Sequence, residues 1–172
     1  MRINVERLTE AGFREFGQIL GEPAAAPPTI RDQVSDVWLG FGDLMGIGRA
    51  PGRHVTFLKI HARPPRYDRV EKHETSAEAF IPLEGQSILL LAPAEAMDGD
   101  GNPDMTRARA FLMDGADGVL LRRGTWHAVP YNLTDVATYL VLVDDAIIEK
   151  NDLHVAHIEP VEFVLSNGEI RR

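Results

Sequence analysis

Apolar and polar residues alternate with a two-residue period at several places along the chain, the period of strands half-buried against a core. Residues 3–8 form the first such stretch. Thr9 then offers an N-cap to a short helix in which Phe13, Phe16 and Leu20 recur at helical spacing, and Gly21 ends it. Residues 22–30, with Pro23, Pro27 and Pro28, predict an irregular connector. Residues 34–48 carry glycines at 40, 42, 46 and 48 and predict bent strands, with Trp38 or Phe41 available to line a cavity. Residues 54–62 alternate again, but both faces are partly apolar: Val55, Phe57 and Lys59 on one, Thr56, Leu58 and Ile60 on the other.

Further on, residues 87–92 form a continuous apolar strand. Residues 107–113 and 119–123 predict two strands flanking the turn-forming run at 114–118. Residues 135–143 predict another, with Val136, Thr138, Leu140 and Leu142 sharing a face, and 161–165 a last one near the end. Short strands separated by turn signals, with one early helix, predict an all-β barrel or jelly roll. A chain of 172 residues, 44% of them hydrophobic, suits one domain over 1–172 with its core at about 34–145.

Chemistry concentrates ahead of the apolar run 79–83, in Glu71-Lys72-His73-Glu74. On an extended chain Glu71 and His73 share one face, while Lys72 and Glu74 take the other. A turn at Thr75-Ser76 with an antiparallel return would bring Glu78 beside the first pair. Two carboxylates and an imidazole so placed suit a metal or acid–base work. His73, then four residues, Glu78, then six residues, Gly85 resembles the second half of the first cupin motif. His127, three residues after Gly124, resembles the histidine of the second. Glu71 stands where a metal-binding cupin has another histidine, and Arg122 where the second motif has proline. The cupin resemblance implies a cupin-type β-barrel in which His73, Glu78 and His127, with Glu71 beside them, hold a divalent transition metal.

A closer resemblance is carried by Glu71-Lys72-His73, the run 79–83, Arg109-Ala110-Phe111 and Gly124-Thr125-Trp126-His127, with a weaker echo at 13–17. In these the chain resembles the ureidoglycolate lyase family, cupin-fold enzymes of allantoin breakdown. The resemblance implies a homodimeric lyase that splits ureidoglycolate, or a similar small hydroxy acid, into glyoxylate and urea. His73 and His127 would do the proton work, and Glu78 and Glu71 would orient them or bind metal and substrate. The chain departs from the family's pattern at Glu78, where glutamine is general, and at Ala128, where a second histidine is frequent. These departures leave two alternatives: a metal-dependent cupin enzyme acting on another hydroxy or oxo acid, and a non-catalytic ligand-binding cupin.

Charge and composition narrow the partners. A net charge of −8 gives no electrostatic footprint for nucleic acid. Without cysteine, any metal must be held by nitrogen and oxygen. No apolar run is long enough for a membrane span and the first residues carry charges, so a cytoplasmic protein is expected. Lys59 and Arg63 are candidates to hold a substrate carboxylate. Asp98 to Asn102 superficially resembles a calcium loop, but Arg109 occupies the position of its closing glutamate. His154 and His157 read as part of a late strand or a subunit contact, and 161–165 as a strand able to pair with another subunit.

Overall fold

The structure is a computed structural model that describes residues 1–23, 26–31, 36–38, 53–61, 67–144 and 152–165. In chain order the elements are β1 (Arg2–Arg7), α1 (Glu10–Phe13), β2 (Gly17–Leu20), β3 (Ile30–Arg31), β4 (Asp36–Val37), β5 (Arg53–His61), β6 (Tyr67–Lys72), β7 (Glu78–Glu84), β8 (Ser87–Ala92), β9 (Arg109–Met113), β10 (Gly118–Leu121), β11 (Trp126–His127), β12 (Tyr131–Asn132), β13 (Val136–Asp144) and β14 (His154–Val164). The all-β class read from the sequence is the one observed.

Seven strands form one sheet in the order β11-β6-β14-β1-β9-β8-β12, and β11 also pairs with β8, so six of them close into a ring. Five more form a second sheet, β2-β10-β7-β13-β5. The unbroken apolar run of β8 follows from this arrangement, because the strand is buried on both faces. Leu89 and Leu91 pack with Phe80, Phe111, Val119 and Tyr139 between the two sheets. Ile88, Leu90 and Ala92 pack on the other face with Ile3, Val5, Tyr67, Val70, Trp126 and Val161.

The helix is shorter than its spacing predicts. Thr9 caps it as expected, its hydroxyl accepting from the Gly12 N–H at 3.2 Å. The helix ends after one turn, and residues 17–20 run as β2 antiparallel to β10. Phe13 and Phe16 are fully buried against the Phe111 ring, with centroids 5.3 and 5.6 Å away. Gly17 allows this path, since a Cβ there would lie 1.9 Å from the Leu120 carbonyl oxygen. Sheet pairing thus overrides a helical pattern too short to stand alone.

The two faces of β13 are unequally buried. Ala137, Tyr139, Val141 and Val143 face the core, while Val136, Leu140 and Leu142 lie half-buried on the other side. β14 begins at His154, earlier than expected, and runs through Pro160. The ladder to β6 breaks register between His157 and Val161, which accommodates the proline. Residues 154–157 and 161 of β14 pair with β6, and residues 162–164 pair with β1. Trp38 donates its indole N–H to the Ala26 carbonyl at 2.8 Å. Phe41 and the glycines at 40–48 lie outside the described residues. In the loop after β8, Asp98 Oδ1 accepts the backbone N–H groups of Asp100 and Asn102 at 2.9 and 2.8 Å, holding its own turn.

Arg109, from the family-like Arg-Ala-Phe run, is structural. It donates from Nε to Glu6 at 2.9 Å and from Nη1 to the Gly12 carbonyl at 2.6 Å, joining β9 to β1 and α1. Its hydrogen bonds hold the Glu6 carboxyl below the ordinary carboxylate range. A depressed folded-state pKa contributes stability that is present above the unfolded value and lost as pH falls through the folded one. Glu6→Gln is therefore expected to cost about 1 kcal/mol or less near pH 7, because the pair is partly solvated. That cost should shrink as pH falls below the ordinary carboxylate range, read from urea midpoints of both proteins near neutrality and in acid.

Candidate active site

β6 ends at Lys72, and the next residue, His73, turns its ring inward. The chain does not fold back as a hairpin. β6 belongs to the seven-stranded sheet and β7 to the five-stranded one, so the turn at Thr75-Ser76 carries the backbone from one sheet to the other. Glu78, the first residue of β7, therefore faces His73 and His127 across the gap between sheets. Its register partner is Leu121 of β10. β11 supplies His127, which pairs through its backbone with Glu71 of β6 and Leu91 of β8. The Gly124 N–H donates to the His73 carbonyl at 2.6 Å and ties the two histidine-bearing segments together. Gly124 sits at φ +76°, in the left-handed region that glycine enters at little cost.

The four predicted residues are brought together. His127 Nε2 lies 3.0 Å from Glu78 Oε2 and 3.9 Å from Glu71 Oε1, and His73 Nε2 lies 3.8 Å from Glu78 Oε2. The imidazole centroids are 5.3 Å apart. His73 and His127 are only 4% and 2% exposed, so water does little to screen these groups. The alternation read for residues 71–74 holds: Lys72 and Glu74 pair with each other at 2.6 Å, away from the cluster, and the Lys72 ammonium lies over the Trp126 ring.

Hydrogen bonds to the backbone fix both rings. His73 Nδ1 lies 2.6 Å from the Asp152 carbonyl and His127 Nδ1 lies 3.0 Å from the Thr125 carbonyl. A carbonyl only accepts, so each Nδ1 carries the proton and each neutral ring presents a bare Nε2 to the cluster. Burial disfavours a charged His127, but the approach and charge of Glu78 outweigh it and lift the imidazole above its ordinary value. The 3.0 Å approach lacks hydrogen-bond alignment, and His127 Nε2 and Glu78 Oε2 are buried with no hydrogen-bond partner among the described residues.

That donor set fits a cation. Donor atoms of Glu71, His73 and His127 all lie within 4.8 Å of one another, and Glu78 approaches the two imidazoles from the opposite sheet. The ligand trio grouped in this way uses Glu71, where the motif spacing had pointed to Glu78. All four groups present lone pairs.

Asp152 is the residue that sequence reasoning missed. It is 3% exposed, and its carboxylate accepts the Glu74 N–H at 2.8 Å, the Thr75 N–H at 2.9 Å and the Thr75 hydroxyl at 2.6 Å. Burial alone would raise its pKa, but these bonds hold it below the ordinary value. No local signal marks it, because it lies 79 positions from His73.

Lys59 does not join the site. It is exposed on the same face of β5 as Val55 and Phe57, themselves 65% and 62% exposed, while Ile60 on the other face reaches the core. Arg63 lies outside the described residues. A cation that was not expected stands closer: Arg69 of β6 lines, with Glu71 and His127, a cavity of about 80 Å3.

Residues 1–165 match the family described as ureidoglycolate lyase. A protein named ureidoglycolate lyase from Burkholderia cepacia is 32% identical over 83% of this chain and 78% of its own length. Proteins of the same name from Brucella ovis and Rhizobium leguminosarum bv. trifolii are 29% and 25% identical, over 81% and 83% of the chain and 81% and 84% of their own lengths. Among solved structures, RmlC from Streptococcus suis in complex with dTDP-D-xylose covers 75% of this chain and 72% of its own, with 14% identity and a TM-score of 0.33.

Proposed function

Because the chain belongs to the ureidoglycolate lyase family, we propose that it splits ureidoglycolate into glyoxylate and urea at the Glu71–His73–Glu78–His127 cluster. The observation that supports this most is the pair of buried imidazoles, each held through Nδ1 by a backbone carbonyl with Nε2 turned towards two carboxylates. The reaction moves one proton. The hydroxyl O–H loses it, the carbon–oxygen bond becomes a carbonyl, the carbon–nitrogen bond breaks, and its electron pair takes up a proton as urea departs. His73 Nε2, left bare by the Nδ1–H tautomer, is the base for the hydroxyl proton. His127, whose protonated form Glu78 favours, is the acid for the leaving nitrogen.

Arg69 answers the need for a cation at the substrate carboxylate. It lies two residues before Glu71 on the same strand and shares a cavity with Glu71 and His127, and its side chain has no hydrogen-bond or ion-pair partner among the described residues. The purified protein is expected to release glyoxylate and urea in equal amounts from ureidoglycolate, followed by coupled assay. Arg69→Ala should raise KM about tenfold, equivalent to about 1.4 kcal/mol, with a smaller effect on kcat. Turnover of other hydroxy acids with none of ureidoglycolate would sink the substrate assignment. An unchanged KM would remove Arg69 from it.

A second reading rests on the unpartnered His127 Nε2 and Glu78 Oε2 atoms. Glu71, His73 and His127 would hold a divalent transition metal, with Glu78 beside them. Such an ion would act as a Lewis acid, polarising a substrate oxygen. Proton transfer and metal binding compete for the same Nε2 atoms, so a metal titration decides between the readings. The homodimer implied by the family needs an exposed sheet edge. The edge of β5 away from β13, flanked by the exposed Val55 and Phe57, is the one we favour. Among the described residues no helix is long and apolar enough to cross a membrane, in keeping with a cytoplasmic enzyme.

A further inference from the structure

We propose that Asp152 is a positioning residue of the site, setting the tautomer and direction of His73 from the opposite end of the sequence. It acts through two different parts. Its backbone carbonyl takes the His73 Nδ1–H at 2.6 Å, which leaves Nε2 as the only atom of that ring able to accept a proton or hold a cation. Its carboxylate takes the next two backbone N–H groups, of Glu74 and Thr75, and the Thr75 hydroxyl. The three bonds fall on the turn that carries the chain from His73 in one sheet to Glu78 in the other. A single side chain therefore clamps the segment whose path sets the 3.8 Å separation of His73 Nε2 and Glu78 Oε2.

A carboxylate is suited to this because all three groups it meets are donors, and it alone among side chains offers two acceptor oxygens and no donor. The imidazole facing it is that of His154, half exposed, whose Nε2 lies 3.8 Å from Oδ1. Asp152 begins the turn into β14, which pairs with β6 two residues later, His154 opposite Lys72. The clamp is thus anchored to the strand next to the one carrying Glu71. Without the carboxylate, the turn is free to shift relative to the carbonyl, and His73 can exchange its Nδ1 proton to Nε2.

The assignment of His73 as base rests on the lyase reading above; its tautomer does not, and the test separates them. Long-range 15N–1H spectra of the imidazoles, with His73 assigned through His73→Gln, are expected to show the Nδ1–H form in the wild-type chain. Asp152→Ala should show a mixture of tautomers and a kcat reduced 10- to 100-fold with KM within about threefold. Asp152→Asn, which keeps an acceptor oxygen, should recover part of both. Should Asp152→Ala fail to fold, Thr75→Val removes one of the three bonds, and a smaller shift in the same direction is expected. A folded Asp152→Ala in which His73 stays wholly Nδ1–H overturns the proposal, as does Thr75→Val with the wild-type tautomer and kcat when the alanine variant does not fold. A tautomer change in a protein without lyase activity upholds the positioning and sinks the lyase reading instead.

Discussion

His127→Gln is expected to lower kcat/KM for ureidoglycolate by about 10^3-fold, within the range for losing a positioned acid–base group. The imidazole approaches both carboxylates, Glu78 at 3.0 Å and Glu71 at 3.9 Å. A carboxamide of similar reach does not exchange a proton near neutral pH, so the departing nitrogen would leave unprotonated. Glutamine is preferred to alanine because it does not leave Phe80, whose ring centroid lies 6.2 Å away, beside a void. Circular dichroism should match the wild type, and steady-state kinetics give the answer. A folded variant keeping a tenth of wild-type activity would place the acid elsewhere.

The second large effect concerns divalent metal. Two carboxylates and two imidazoles meet in a largely buried site that no lysine or arginine side chain is shown to pair with among the described residues. Carboxylates and imidazoles converging in this way suit a divalent cation. Glu71→Gln and Glu78→Gln are each expected to weaken nickel, zinc or cobalt binding at least about tenfold, with Glu71 the larger because it belongs to the compact trio. Glu74→Gln should stay within about twofold, since its carboxylate is exposed and engaged with Lys72. Calorimetry on chelator-stripped protein measures all four. Equal affinities throughout, or no binding by the wild type, would leave proton transfer as the reading.

The pairing of Glu71 with His73 was legible because a two-residue period needs only an extended chain, and His73, Glu78 and His127 were marked by motif spacing. The means by which Glu78 arrives was not legible. The turn at Thr75-Ser76 reads equally well as a hairpin or as a passage between sheets, and only the pairing of β7 with β10 and β13 separates the two. Lys59 was misplaced because β5 is apolar on both faces, so hydrophobicity could not say which turned inward. Phe13, Phe16 and Leu20 kept a helical interval although the helix was only one turn long, since buried aromatics recur in irregular segments as well. Asp152 had no local signature at all: its partners are donors brought to it by β14.

β11 is two residues long, yet it fastens β6 to β8 and so closes the ring. It does this with main-chain groups, whereas the chemistry proposed for His127 uses the imidazole. Fastening and reactivity therefore reside on different atoms of one residue, and the imidazole can be exchanged without unfastening the ring. A lineage of such proteins can try new side chains at this position, and with them new reactions, while the enclosure around the substrate stays in place.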